Sequence, residues 1–196
     1  MATKAFEVAY EGTPSWDIGR PQGAVMRLEL AGLIGERVLD AGCGTGENAL
    51  YLAQRGHAVL GFDFAAAAVG KATRRAAERG LGGRASFVER DALRLGDLGR
   101  SFDTILDVGL FHTLQPADRS AYAVALRAVV EPSARCFVLA WSDRNPFGYG
   151  PERVRRLDLR RAFSGAWRVE SIADEELETL LPEGRVHAWL ARVTPR

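Results

Sequence analysis

Residues with obvious chemistry are scarce in this chain of 196. Its two cysteines, Cys43 and Cys136, are too few and too dispersed for a disulfide framework or a zinc cluster. His57 and His187 stand apart without metal-ligand spacing, so no metal site is expected. Net charge is almost absent: 26 basic against 25 acidic side chains leave +1. A domain that grips a phosphate backbone carries a clear basic excess, so nucleic acid is not an expected partner. No apolar run approaches the ~18 residues needed to cross a bilayer. Met1–Tyr10 lacks the apolar core of a secretory signal. Lysine is nearly missing too, since only Lys4 and Lys71 are not arginine among the basic residues. With so much Ala and Gly beside it, that bias reads as a GC-rich genome rather than a function. With 47% apolar residues there is material for one core. These absences leave a soluble, reduced, cytoplasmic chain of one domain spanning 1–196.

What is present is an alternation. Short apolar runs rich in β-branched and aromatic residues read as buried strands: Arg37–Asp40, Ala58–Asp63, Ala85–Glu89, Thr104–Val108 and Cys136–Trp141. Between them Asn48–Arg55, Ala66–Arg79 and Asp118–Val130 are built from good helix formers. Gly56 and Gly80 stand where helices end. Such alternation predicts a three-layer, doubly wound α/β fold on a mostly parallel sheet. After Trp141 the rhythm changes. A Gly/Pro-rich loop, Ser142–Pro151, leads to an Arg-rich helix near Glu152–Phe163. Two last strands, Trp167–Ile172 and Val186–Val193, joined by an acidic segment around Glu175–Leu181, bring the sheet to seven strands with an antiparallel C-terminal edge. Residues 1–34 read as a cover over the core of 35–196: a loop, Thr13–Gln22, and a helix, Gly23–Ala31. The run Arg153–Arg161, with Leu157 and Leu159 interleaved, reads as a solvated amphipathic helix.

The most informative stretch is Val38–Leu50, VLDAGCGTGENAL, where the first strand turns into the first helix. Gly42, Gly44 and Gly46 permit a tight turn and close approach of a ligand to the backbone, beside the unpaired N–H groups of a helix start. A dinucleotide fingerprint would space its glycines G-x-G-x-x-G around a pyrophosphate. Here the spacing is G-x-G-x-G. Asp40 and Glu47 flank the turn, and two carboxylates oppose a diphosphate but suit a cationic amino group. Asp63 ends the second strand, where doubly wound folds place an acid on a ribose hydroxyl pair. Asp91 follows the third strand, placed to meet an adenine edge. Three features on three successive strand ends make a chance turn a poor explanation.

Those segments resemble the class I S-adenosylmethionine-dependent methyltransferases. VLDAGCGTG is similar to their first motif, GFDF to their acidic second-strand motif, RDA to their adenine motif and FDTILDVGLFH (Phe102–His112) to their fourth-strand motif. The resemblance spans nearly the whole chain and is nearest to small bacterial thiopurine, tellurite-resistance and heterocyclic-toxin methyltransferases. Thr13–Gln22 is its most group-specific piece. One departure is Glu131-Pro132-Ser133-Ala134, where the family often has Pro-Gly-Gly. The resemblance implies a Rossmann-like methyltransferase fold with S-adenosylmethionine as cofactor. It implies that Gly42 and Gly44 line the methionine part, with Asp40 near the ammonium and the Asp107 carbonyl facing it. Asp63 would hold the ribose, Phe64 would pack on the adenine, Asp91 and the Ala92 backbone would meet its edge, and Trp16 would close over the sulfonium.

Methyl transfer needs an acceptor held behind the methyl group, so positioning and water exclusion carry much of the rate. His112 is the foremost base candidate, with an orienting hydrogen bond as its other role. Asp17 is the second, alternatively a turn cap or a partner of Arg20. Phe111, Trp141, Phe147 and Tyr149 are candidates for an aromatic acceptor pocket, and Arg144 for steering an anionic or carbonyl-bearing acceptor. The expected reaction is methylation of an O, N or S atom of a small aromatic or heterocyclic molecule. A thiol, halide or tellurite-type acceptor is the near alternative, and an NAD(P)-binding oxidoreductase the distant one. Neither nucleic acid nor membrane is an expected partner, and the chain is expected to be a monomer or homodimer.

Overall fold

The structure, a computed structural model, describes residues 2–148 and 150–196. Seven strands, β1 (Arg37–Ala41), β2 (Ala58–Asp63), β3 (Ala85–Glu89), β4 (Phe102–Val108), β5 (Val130–Trp141), β6 (Trp167–Glu178) and β7 (Arg185–Pro195), form one sheet in the order β3-β2-β1-β4-β5-β7-β6. Neighbours from β3 to β5 pair parallel. The antiparallel strand is β7, inserted between β5 and the edge strand β6. The strand order reverses between β1 and β4, the switch point where doubly wound sheets open a crevice.

Each central strand is apolar on both faces, because helices cover both. Val38, Val59, Leu106 and Phe137 pack with α2 (Gly23–Leu30), α3 (Glu47–Gln54) and α4 (Ala66–Glu78). Leu39, Leu60, Ile105 and Val138, each one residue away along its strand, point the other way into a cluster with α5 (Arg119–Arg127) and α6 (Arg156–Ala162). This period of two sorts the strand residues into two cores.

The boundaries differ from the sequence reading in several places, among them the start of α6 at Arg156 rather than near Glu152. A helix, α1 (Ala2–Ala9), stands before the expected loop. β5 begins at Val130, with a register shift against β4 that accommodates Pro132 at its start. β6 continues through the acidic segment to Glu178. It can do so because an edge strand leaves its acids in solvent, where Arg20, Arg27 and Arg185 pair with Glu178, Glu175 and Glu176.

Phe163, following α6, is fully buried, with Phe111 stacked 5.9 Å away and Trp167 edge-on at 5.8 Å. It links α6 to the 3-10 turn after β4. Phe163→Ala is expected to cost about 3–5 kcal/mol by leaving a cavity. Denaturant unfolding checks this, and a loss under about 1 kcal/mol would contradict the packing described.

Candidate active site

A cavity of about 510 Å³ opens along the carboxyl ends of the strands, roofed by residues from α1 and the loop after it. Its floor is the glycine turn between β1 and α3. Gly42 and Gly44 have φ of 67° and 53°, and Cβ atoms there would lie 2.8 Å from Leu110 Cβ and 2.9 Å from the Tyr10 hydroxyl. No side chain fits either position. The turn is tied to β2 by the Cys43 N–H, which donates to the Phe62 carbonyl. Asp63 completes the tie: its carboxylate accepts from the Gly44 N–H at 3.0 Å and the Ala65 N–H at 2.9 Å. Burial raises the Asp63 pKa, against the pull of those bonds. Each oxygen still has a lone pair for a ligand hydroxyl.

An aromatic wall stands over the turn. Phe6 lies 5.5 Å from Trp16 and 5.5 Å edge-on from Phe64, and the Trp16 indole N–H donates to the Tyr10 hydroxyl at 3.1 Å. Trp16 keeps 42% of its surface exposed, placing it at the cavity mouth. Asp17 also lines the cavity, and it accepts from the Thr45 hydroxyl at 2.9 Å with Arg75 3.6 Å away. It does not pair with Arg20, which takes Glu178 with two bonds. Ala92 and Arg90 line the β3 side. Asp91 is exposed off the wall, its carboxylate accepting from the Leu93 N–H.

Two acids lie beneath the turn rather than on the cavity wall. Asp40 and Asp107 are buried, and desolvation raises both to about 7. Asp107 accepts from the Tyr122 hydroxyl and the Phe111 N–H, whereas Oδ2 of Asp40 has no hydrogen-bond partner. A buried orphan oxygen under a glycine cradle fits a ligand that brings a cation close.

Toward β4, β5 and β6 the cavity is lined by Val108, His112, Trp141, Leu177, Thr179 and Leu181, with Ile18 from the cover. His112 is buried, its Nδ1 accepting from the Trp141 N–H at 3.0 Å, and burial followed by Arg119 lowers its pKa to about 3. The other expected acceptor residues are elsewhere. Phe111 is turned into the core against Phe163, because the 3-10 turn presents alternate sides to core and cavity. Arg144 is held in an ion pair with Asp174 and is not part of the wall. Phe147 is 86% exposed and off the wall. Tyr149 lies outside the described residues. Phe6 and Tyr10, one helical turn apart, and the alternating Leu177, Thr179 and Leu181 were among the missed wall residues; their spacings of four and two were the available signals.

The buried groups set a pH dependence. Carboxyls near 7 in the fold and near ~4 unfolded bind more protons folded, so their contribution to stability falls as pH rises between those values. His112, near 3 folded and ~6.5 unfolded, contributes oppositely over its own interval. Asp40→Asn is therefore expected to flatten any fall in stability between about pH 5 and 7, and His112→Asn to steepen it, each by about 1–3 kcal/mol. Denaturant midpoints at the two pH values check this. Unchanged slopes in both variants would contradict the assignment.

A Methyltransferase domain family matches residues 38–133. The chain is 36% identical over 183 residues to the 2-heptyl-1-hydroxyquinolin-4(1H)-one methyltransferase of Mycobacteroides abscessus, covering 88% of this chain and 80% of that protein. A solved structure from work on conversion of a disulfide bond into a thioacetal group during echinomycin biosynthesis superposes with a TM-score of 0.90 and 38% identity, covering 100% of this chain and 92% of the other. The 1,6-didemethyltoxoflavin-N1-methyltransferase of Burkholderia thailandensis shares the fold, with a TM-score of 0.75, 19% identity and coverage of 98% and 86%. Kinship over this much of the chain, joined to a glycine turn with an acid at the end of the next strand, shows that the protein belongs to the class I S-adenosylmethionine-dependent methyltransferases.

Proposed function

We propose that the acceptor is a small, flat, largely apolar heteroaromatic molecule methylated on oxygen, nitrogen or sulfur. The observation that carries this is the character of the acceptor side of the cavity, where Val108, Ile18, Leu177, Leu181 and Trp141 offer apolar surface. A volume of about 510 Å³ suits a small molecule. The Mycobacteroides abscessus relative's hydroxyquinolinone fits that description. A thiol acceptor is the second reading, favoured by 26% identity to a probable thiol methyltransferase of Arabidopsis thaliana.

When bound, S-adenosylmethionine supplies a methyl group on a sulfonium that leaves as a neutral thioether. The residues proposed to hold it are Asp63 at the ribose, Phe64 at the adenine face and Ala92 at the adenine edge, with Asp91 next to Ala92 but off the wall. Gly42 and Gly44 would line the methionine portion, with Asp40 below them and the Asp107 carbonyl beside them. Trp16 would cover the sulfonium, where an aromatic face favours a cation. Residues 1–34 act as a cover on one catalytic domain in this reading. The same reading makes it a bacterial, cytoplasmic enzyme, monomeric or homodimeric, without nucleic-acid or membrane partners; balanced charge fits the lack of a nucleic-acid partner, and two buried free cysteines fit a reducing compartment.

Calorimetric titration tests the cofactor site. S-adenosylhomocysteine is expected to bind with micromolar affinity, NADH is not, and Asp63→Ala is expected to weaken the first at least ~10-fold by removing a charged hydrogen-bond acceptor. A preference for NADH would overturn the residue assignments.

A further inference from the structure

The ring of His112 is held in one protonation pattern by its neighbour. A peptide N–H can only donate, so the Nδ1 that accepts it from Trp141 must keep its lone pair. The single proton of the neutral ring then sits on Nε2. Taking a proton at Nδ1 would break the Trp141 bond and set two N–H groups against each other. Nε2 already carries one. Neither nitrogen is available as a base.

The charged groups around the ring do not change this. Arg119 of α5 disfavours a second positive charge. Glu152, 3.8 Å beyond Arg119, is more than half exposed. Asp107 of β4 faces Tyr122 and the Phe111 N–H. Arg153 lies over the far partner, the Trp141 ring, at 5.3 Å. The other carboxylates of the wall have partners, and Asp63 is committed to the ribose in the reading above. Asp17 takes the Thr45 hydroxyl, Asp63 takes two main-chain N–H groups, and Glu47 is clamped by Arg75 and Arg79. Burial pushes the Tyr10 hydroxyl and the Cys43 thiol upward, so both stay protonated.

We propose that His112 donates a hydrogen bond through Nε2 to an acceptor that binds already ionised: an acidic phenol, an N-hydroxy heterocycle or a heteroaryl thiol. The proposal rests on the methyl-transfer reading above. The acceptor loses its proton to solvent before binding. Its lone pair forms the bond to the methyl carbon while the carbon–sulfur bond breaks and its electrons return to sulfur. An anion and a sulfonium thus become two neutral molecules, and no proton remains on the protein. The donor at Nε2 steadies a localised charge beside the apolar surface of Val108, Leu177, Leu181 and Trp141.

Three measurements on the full chain test this. Nitrogen NMR of the labelled imidazoles, with His112→Asn to assign the signal, is expected to show a neutral ring protonated at Nε2 across about pH 5 to 9. Protonation at Nδ1 in that interval would overturn the proposal. With substituted phenols of graded acidity, the acid limb of kcat/KM is expected to move with each phenol's own pKa. A limb fixed whatever the phenol would mean a base on the enzyme. An asparagine amide can accept from the Trp141 N–H and still donate, so His112→Asn is expected to stay within ~10-fold, whereas His112→Leu loses ~10²-fold. Equal loss in both variants would overturn the donor role. If S-adenosylhomocysteine binds but no phenol, N-hydroxy heterocycle or thiol is methylated, the acceptor reading and this proposal fall together. A fixed limb or a protonated Nδ1 sinks only the latter.

Discussion

One buried carboxylate holds the cleft together. Asp63 takes N–H groups from the glycine turn after β1 and from the start of α4, binding two crossover connections to a single side chain. The next two N–H groups of α4, from Ala66 and Ala67, are taken by Glu7 of α1, so the roof of the cavity docks on the same helix end. Acids belong at a helix N-terminus, where the free N–H groups and the helix dipole favour them. The placement of Phe6, Tyr10 and Trp16 over the turn follows from this docking.

The same region holds an electrostatic load. Asp40, Asp63 and Asp107 stand at neighbouring strand ends with raised pKa values, each mainly through burial. Such a cluster costs stability when ionised and gains from a cation. A ligand that carries both an ammonium and a sulfonium suits the turn for that reason, and a diphosphate does not. His112, on the acceptor side of the cavity, is held neutral by burial and by the Trp141 N–H on its Nδ1.

The core strands and the cofactor turn were legible in the sequence because local rules govern them. Period two writes a buried strand, and the spacing Gly42, Gly44 writes a turn that other residues cannot adopt. The acceptor side was less legible. Whether Phe111 or His112 faces the cavity depends on how a 3-10 turn is rotated by its packing on Phe163, a tertiary contact with residues some fifty positions away. Arg144 is claimed by Asp174, on a strand whose acids read as a connector. Glu7 gives α1 its docking site through helix N–H groups far along the chain, which no pattern within residues 2–9 announces.

The most direct measurement is mass spectrometry of a hydroxyquinolinone incubated with the protein and S-adenosylmethionine labelled as trideuteriomethyl. The account predicts a product in which one trideuteriomethyl group replaces one proton, formed together with S-adenosylhomocysteine. Labelled donor left unconsumed with hydroxyquinolinones, other phenols and thiols alike, while S-adenosylhomocysteine still binds, would contradict it.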